Sequence, residues 1–316
     1  MRRSDGNPIR EAEPGGQKLP GLAYLHRPSR LIVLFLAPAL LFYLVFYIYP
    51  MAKAMFLSFH RGSATSEEFV YVGTENFQKL LLHDSAFWTS LWHNLELVVV
   101  AGTVTLVLAL ALAMALTQTG RGRGFFRVIF LFPNVMPVVA AAILWSFVLN
   151  PSFGIVNGLL RQLKLESFCR AWLGEPQTAL WAVMVIQIWA AVGFYVVLLY
   201  AGILNVPRQY TEAARLDGAN GFQVFWHVTL PMLTEILRIA IIYIVIGSAN
   251  TFALVFLVNE GEPRRHTEVL MTYLYEQAFR NGNFGYACSI GVMTLVFVIG
   301  LAATVNLLIR KESVEL

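Results

Sequence analysis

Six long apolar segments constrain the fold of this chain more than any other feature of its sequence. Each has roughly 20 or more mostly apolar residues, the length that an α-helix needs to cross a hydrocarbon core about 30 Å thick. A membrane β-strand would instead alternate polar and apolar residues over about ten positions, and these segments do not alternate. We therefore predict an all-α, polytopic bundle of six membrane spans. The predicted spans are residues 31–59, 95–117, 125–149, 180–204, 236–258 and 287–309.

The composition agrees with one membrane domain over residues 31–316. Of the 316 residues, 57% are hydrophobic and only 13% are charged, which is more apolar than a soluble domain. The formal net charge is +4, and the basic residues are dispersed among the loops, which argues against nucleic-acid binding. Cys169 and Cys288 lack the spacing of a metal site or a disulfide framework, so we interpret both as structural.

The basic residues predict the orientation of the chain. Residues 1–30 form a polar, basic tail without the apolar region of a cleaved signal, so span 31–59 is expected to act as an uncleaved anchor. Lys and Arg also occur at residues 121–127 and at the C-terminus. Because cytoplasmic loops carry an excess of Lys and Arg, both termini are predicted to lie in the cytoplasm, with the bundle in the cell membrane. Arg264 and Arg265, in a predicted external loop, are exceptions.

Three of the predicted spans contain residues that interrupt helices. The first has Pro38 and Pro50, the third has Pro133 and Pro137, and the fifth has a polar patch at residues 247–251. Such interruptions are tolerated where neighbouring helices or a water-filled cavity satisfy the freed backbone groups, which is typical of a substrate path. For each proline taken singly, a kink that serves only packing is an equally good explanation.

The polar loop at residues 205–231 has the pattern of two short helices. Pro207 suits a first helical turn, and Gly218 can adopt the left-handed conformation that ends a helix. Asn220 and Gln223 have the spacing of a capping box at the start of a second helix. Three aromatic residues then recur at helical spacing: Phe222, Phe225 and Trp226. Two short helices joined by a glycine would suit a groove on a partner protein; an amphipathic hairpin lying on lipid is the alternative.

This loop resembles the EAA loop of permease subunits in binding-protein-dependent ABC importers. The matching positions are Glu212-Ala213-Ala214, Asp217-Gly218-Ala219, Gln223, Phe225 and Thr229-Leu230-Pro231. The motif extends over about twenty positions between two spans, which makes it more specific than a short pattern. Further stretches resemble the carbohydrate-uptake branch of that family, which includes maltose-importer permeases. They are Tyr49-Pro50, residues 71–77, Phe132-Pro133, residues 275–279 and residues 284–287.

The resemblance implies that the chain is one permease subunit of an ATP-driven importer that works by alternating access. Its implied partners are a second permease subunit, two ATPase subunits and an external solute-binding protein. In that family the EAA loop sits in a cleft of the ATPase, so residues 205–231 are called the coupling loop below. The residues to which the resemblance assigns ATPase coupling are Glu212, Ala213, Ala214, Asp217 and Gly218. For Glu212 and Asp217, a solvated helix face is the alternative.

The resemblance also places solute contacts on the helices that flank the coupling loop. The polar and aromatic candidates there are Gln187, Trp189, Phe194, Ser248, Asn250 and Thr251. Aromatic faces together with amide and hydroxyl groups suit a sugar, although polar side chains also join helices to one another in membranes. The sequence does not distinguish a mono- or oligosaccharide from a polyol or a sugar phosphate.

The sequence shows no assembled catalytic chemistry. It has no Gly-Lys pair and therefore no GxxxxGK[ST] phosphate loop, and HExxH and GxSxG are also absent. We expect this chain to bind no cofactor or metal, with ATP and Mg²⁺ held by the partner ATPase subunits. An ion-coupled secondary transporter is the main alternative, but the central parts of the spans lack the ionisable residues that such carriers use. A membrane scaffold without a conducting path is the other alternative.

Overall fold

The computed structural model describes residues 28–63, 68–118, 120, 122–249, 251–263 and 265–309, without the side chains of residues 28–32 and 34. Helices dominate, so the predicted all-α class is confirmed. The helices are α1 (Pro28–Tyr43), α2 (Tyr49–Leu57), α3 (Glu75–His83), α4 (Ser85–Glu96), α5 (Gly102–Gln118), α6 (Arg123–Val135), α7 (Val138–Val148), α8 (Ile155–Gln162), α9 (Pro176–Leu204), α10 (Arg208–Leu216), α11 (Gly221–Val224), α12 (Leu230–Met232), α13 (Thr234–Ala249), α14 (Phe252–Val258), α15 (Leu270–Tyr275) and α16 (Phe284–Leu308).

Short irregular helical turns and one small hairpin complete the described secondary structure. The π-helical turns are Leu44–Ile48, Leu97–Ala101, Phe225–Thr229 and Glu276–Arg280, and a 3-10 turn lies at Glu166–Phe168. Strands β1 (His60–Arg61) and β2 (Val70–Tyr71) pair antiparallel, with His60 opposite Tyr71.

The chain divides into two units, residues 1–53 and residues 54–316. In the first unit the described helix continues through Pro38 without a break. A π-helical turn, Leu44–Ile48, directly precedes Tyr49-Pro50, where the proline cannot donate a backbone hydrogen bond. The described side chains of this unit are exposed apart from a half-buried Ile48. A helix with apolar side chains exposed on all sides suits lipid or protein as its surroundings.

Among the described residues, four helical stretches are long and apolar enough to cross a membrane. They are Phe35–Leu57, Ser85–Gln118, Pro176–Leu204 and Phe284–Leu308. Two bent pairs raise the count to six if each pair is one span: Arg123–Val135 with Val138–Val148, at 96°, and Gly221–Met232 with Thr234–Ala249, at 68°. The predicted third span, residues 125–149, coincides with the first of these pairs, which is sharply bent next to Pro137.

The predicted fifth span, residues 236–258, is divided at its polar patch. Helix α13 ends at Ala249 and α14 begins at Phe252, while Asn250 lies outside the described residues. Helix α13 instead forms a bent pair with the helix before it, which belongs to the coupling loop. The bend between these two helices lies at the polar, proline-containing segment that was assigned to the loop.

The core of the second unit is built on the long helix α9. Small buried side chains on α5, including Ala109 and Ala113, let this helix pack closely against Val196 and Leu199 of α9. On another side of α9, Gly193 lies against the backbone of α6 at Phe130. Small residues are the usual means of close helix packing in membranes, where apolar surface alone drives little association.

Candidate functional site

A cavity of about 360 Å³ lies where α5, α9 and the two broken helices meet. The break of the third span borders it through Met136, and the break of the fifth borders it through Gly247 and Thr251. The cavity thus lies at the two places where the backbone leaves its regular helical path. The polar groups on its wall belong to Thr105, Asn134, Gln187, Tyr195 and Thr251.

Local hydrogen bonds stabilise the break at Pro137. The backbone N–H of Met136 donates to the carbonyl oxygen of Pro133 at 3.3 Å, and Asn134 Nδ2 donates to the carbonyl oxygen of Ala190 on α9 at 3.3 Å. Proline is well tolerated at a helix start, so Pro137 can precede α7 without loss of an intrahelical bond. The first half of the span is thereby joined to α9 at the cavity.

Gln187 is the strongest polar candidate on the cavity wall. Its Oε1 atom is buried and accepts no hydrogen bond from the described residues. A buried acceptor without a partner is costly, and a rotation of the amide toward the cavity would let a ligand hydroxyl group supply the missing hydrogen. Trp145 Nε1 is also buried without a partner in the described part of the chain, and its ring packs edge-on against Trp189 with centroids 5.5 Å apart.

The structure brings together only some of the predicted solute contacts. Gln187 and Thr251 line the cavity. Ser248 is buried, and its hydroxyl donates to the carbonyl oxygen of Val245 at 2.7 Å, so its side chain serves its own helix. Trp189 packs on Trp145, as described above. Phe194 contacts Tyr195 and Tyr243 and is not part of the cavity wall. Asn250 lies outside the described residues.

Three further polar residues of the cavity wall were not predicted from the sequence: Thr105, Asn134 and Tyr195. The position of Asn134 next to the predicted break at Pro137 could have indicated it. Thr105 and Tyr195 lie in regular helices, where a single sequence does not show which face meets a cavity. Among the described residues, no group of three His, Cys, Asp or Glu side chains is placed to hold a metal ion.

The coupling loop begins with a short helix that a glycine ends. Helix α10 follows Pro207, and Gly218 has φ +87°. The N–H of Gly218 donates to the carbonyl oxygen of Arg215 at 3.1 Å, and that of Ala219 donates to Ala214 at 2.9 Å. These two bonds form a Schellman motif, which requires a left-handed residue at the position of the glycine.

The second helix of the coupling loop begins with the predicted capping box. Asn220 Oδ1 accepts from the backbone N–H of Gln223 at 2.9 Å, and Gln223 Oε1 accepts from that of Asn220 at 2.8 Å. The helix then continues as the π-helical turn Phe225–Thr229 and ends at Met232, beyond Pro231. The π-helical turn shortly before Pro231 accommodates the N–H that this proline lacks.

The coupling loop presents both carboxylates and apolar side chains at its surface. Glu212 and Asp217 are exposed, and within the described residues neither forms an ion pair. Leu216 is 89% exposed, and Phe222 is 72% exposed with its ring stacked on Trp226. The surface of the coupling loop therefore carries large apolar side chains beside carboxylates that have no ion partner among the described residues.

A network of polar side chains joins α4 to the segment before α16. Asp84 caps α4 through bonds from the N–H groups of Ala86 and Phe87, at 3.0 and 3.1 Å. Its other carboxylate oxygen accepts hydrogen bonds from the hydroxyl groups of Tyr273 and Tyr286. These partners lie 189 and 202 residues away, and no motif in the sequence indicated them.

Arg265 and two glutamates form an ion cluster beside this network. Arg265 Nη1 lies 2.8 Å from a carboxylate oxygen of Glu268, and its Nη2 lies 2.9 Å from one of Glu276. The side chain of Glu268 is only 6% exposed, and its burial raises the pKa of the carboxyl group to about 7, although Arg265 opposes the rise.

Residues 106–313 match the family described as binding-protein-dependent transport system inner membrane component. This match includes more than half of the chain. The chain belongs to that family. This inner membrane component is 34% identical over 271 residues to the probable ABC transporter permease protein YurN of Bacillus subtilis. The alignment covers 85% of this chain and 92% of that protein.

Two further relatives extend the comparison. The inner membrane component is 34% identical over 286 residues to the diacetylchitobiose uptake system permease protein NgcF of Streptomyces coelicolor, covering 87% of this chain and 81% of that protein. Its fold resembles a chain from a bacterial ABC transporter involved in the import of the acidic polysaccharide alginate. That comparison has a TM-score of 0.78 at 20% identity and covers 90% of this chain and 96% of the other. At this identity the likeness shows the fold alone.

Proposed function

We propose that the chain is a permease subunit of a sugar ABC importer and that the cavity at the two broken helices is part of its solute path. The observation that carries the proposal is Gln187, which lines that cavity and whose Oε1 has no hydrogen-bond partner among the described residues. Because this oxygen is itself covered, a sugar hydroxyl would reach it after the amide rotates toward the cavity. Tyr195, about two helical turns further along α9, adds an aromatic side chain to the wall. The relative named for diacetylchitobiose uptake supports a saccharide as the solute.

The cavity gives an ion-coupled mechanism no support. Its described lining includes no Asp, Glu, His, Lys or Arg side chain, whereas carriers that couple to protons or cations place such groups on the path. The proposed energy source for transport is therefore not an ion gradient coupled through this cavity. We assign it to two ATPase subunits, which hold ATP and Mg²⁺, so this chain performs no covalent chemistry itself.

The coupling loop is the surface that we assign to the ATPase. Its helices are held by the Schellman motif at Gly218 and the capping box at Asn220, so the exposed residues Glu212 and Leu216 lie on a locally ordered structure. With both termini in the cytoplasm, this surface faces the ATPase. A second permease subunit completes the path, and a solute-binding protein delivers the sugar from the opposite side. Closure of the ATPase pair drives alternating access through the loop.

Uptake by the assembled complex tests the proposal. The chain is purified with its second permease and ATPase subunits, reconstituted in vesicles, and supplied with radiolabelled saccharides on the matching binding protein. A Gln187→Leu variant should lose uptake by at least about fivefold, since a hydrogen bond to a buried group contributes roughly 1 kcal/mol or more. Gln162→Leu, at the exposed end of α8, is the matched control. Equal uptake by both variants would contradict the assignment of the cavity.

A further inference from the structure

The break of the fifth span leaves backbone groups that the helices themselves cannot satisfy. Helix α13 ends at Ala249, where the carbonyl oxygen of Ser248 accepts a long bond, 3.4 Å, from the N–H of Thr251 across the break. Helix α15 begins at Leu270, whose N–H has no acceptor within its own helix. Inside a bilayer such groups are costly unless protein supplies a partner. The side chain of Ser248 cannot help, because it bonds to Val245.

A single side chain on α4 satisfies one group at each of these helix ends. Asn94 Nδ2 donates to the carbonyl oxygen of Ser248 at 3.0 Å, and Asn94 Oδ1 accepts from the backbone N–H of Leu270 at 2.8 Å. Asn94 is 2% exposed. Its orientation is defined by chemistry, since only the NH₂ group can meet a carbonyl oxygen and only the amide oxygen can meet an N–H.

The helix that carries Asn94 is itself well anchored. One residue earlier, the Nδ1 atom of His93 lies 2.8 Å from the carbonyl oxygen of Glu268. At the start of the same helix, Asp84 accepts from two tyrosine hydroxyl groups, as described above. Three side chains of α4 or its cap therefore bond to residues between Glu268 and the first turn of α16. Of these three, only Asn94 also bonds to the broken end of α13.

We propose that Asn94 is a positioning residue of the solute path. By holding the carbonyl of Ser248, it fixes the end of α13, and so it fixes the part of the cavity wall formed by Gly247 and Thr251, which flank Ser248. The functional part of this inference rests on the proposed solute path. The geometric part, that Asn94 positions the break, can be measured without transport.

Asn94→Asp tests the two hydrogen bonds directly, because its side chain can keep both of them at low pH and loses one when it ionises. A neutral carboxyl group has the shape of the amide: its O–H can donate to Ser248 while its other oxygen accepts from Leu270. An ionised carboxylate has no donor and would face the carbonyl of Ser248 with negative charge. Asn157→Asp is the matched control, since Asn157 is also 2% exposed. Its Nδ2 likewise donates to two backbone carbonyls, those of Pro151 and Arg170, far from the break.

The geometric measurement is thiol labelling at the break. Thr251→Cys is introduced with Cys169 and Cys288 replaced by serine, and the labelling rate of the purified complex is measured between about pH 5.5 and pH 8.5, a range that spans the pKa values of buried carboxyl groups. Because His93 and Glu268 are ionisable and lie nearby, each variant is compared with its parent at the same pH. In Asn94→Asp the labelling rate should match the parent at low pH and differ at least about threefold at high pH.

Uptake is measured on the same Asn94 and Asn157 variants and on their parent, with Thr251 left in place because it lines the cavity. In Asn94→Asp the uptake per assembled complex should fall at least about fivefold at high pH and recover at low pH, with the loss mainly in the apparent KM for the loaded binding protein. Asn157→Asp should show neither change. Equal labelling at position 251 in both variants at every pH would overturn the proposal. If labelling follows the expected pattern while the parent itself takes up no saccharide, the positioning role stands and the proposed function is wrong.

Discussion

Replacement of Gly193 by alanine tests how α6 and α9 pack beside the cavity. A Cβ atom at Gly193 would lie 1.8 Å from the carbonyl oxygen of Phe130, 2.5 Å from its carbonyl carbon and 3.0 Å from Cα of Leu131. Real Cβ contacts are essentially never shorter than 3.0 Å. Helix α6 must therefore move by at least about 1.2 Å, and no side-chain rotation can relieve the clash, because every one of these atoms belongs to the backbone.

Two opposing terms determine the size of the effect. Overpacking of this kind costs about 1–3 kcal/mol, whereas glycine to alanine in a helix interior gains up to about 1 kcal/mol. We expect a net loss of about 1–2 kcal/mol, which lowers the melting temperature of a chain of this size by about 1.5–3 °C. Since α6 also carries Asn134 to the cavity, uptake should fall together with stability.

The assay is the thermal melting of the detergent-solubilised complex, followed by size-exclusion chromatography of the remaining assembled protein. Gly300→Ala is the control: it is the same chemical change in the long helix α16, where a Cβ atom meets nothing within 4 Å. That variant should melt at or slightly above the wild-type temperature. A Gly193→Ala protein that is as stable as Gly300→Ala would refute the close approach of α6 and α9.

Three further predictions concern the loops. Gly218→Ala should impair coupling between ATP hydrolysis and uptake, since φ +87° strains an L-residue by about 1 kcal/mol or more; Gly221→Ala, where a Cβ also meets nothing, should be neutral in the same vesicle assay. Burial raises the pKa of the Glu268 carboxyl group to about 7, against an ordinary 4.5. The folding free energy that its neutral form contributes is therefore fully present below about pH 4.5 and is lost as the pH rises through about 7. The melting temperature of Glu268→Gln should therefore fall less than that of the wild type between those pH values. Finally, a cysteine at position 215 should resist an impermeant external thiol reagent in intact cells, and efficient labelling there would reverse the predicted orientation.

The features that could be read from the sequence are those encoded over short distances. The breaks at Pro137 and at residues 247–251 follow from local backbone chemistry, and the capping box at Asn220 follows from a spacing of three residues. The π-helical turn that carries the second coupling helix past Pro231 was not predicted, because it depends on how the chain satisfies one missing N–H in three dimensions.

The contacts that organise the site could not be predicted in the same way. Ser248 was assigned to the solute path on its polarity, yet its hydroxyl bonds within its own helix and only its carbonyl takes part in a long-range contact. Asn94 lies 154 residues away from that carbonyl, and nothing in one sequence indicates which distant residue will meet a freed backbone group. Polarity and helical period place a residue on a helix but do not identify the helix that it faces.

The bend between the second coupling helix and α13 has a geometric consequence for motion. Leu233 is the one residue between Met232 and Thr234, and it is 0% exposed. If the 68° angle between the two helices changes, α13 therefore rotates about this packed residue. Helix α13 has 16 residues and is therefore about 24 Å long. A rotation of about 10° at Leu233 would displace its far end, beside Gly247, by about 4 Å. Such a displacement would break the 3.0 Å bond from Asn94 to Ser248 unless α4 moved as well, so a tilt of α13 and a movement of α4 are coupled.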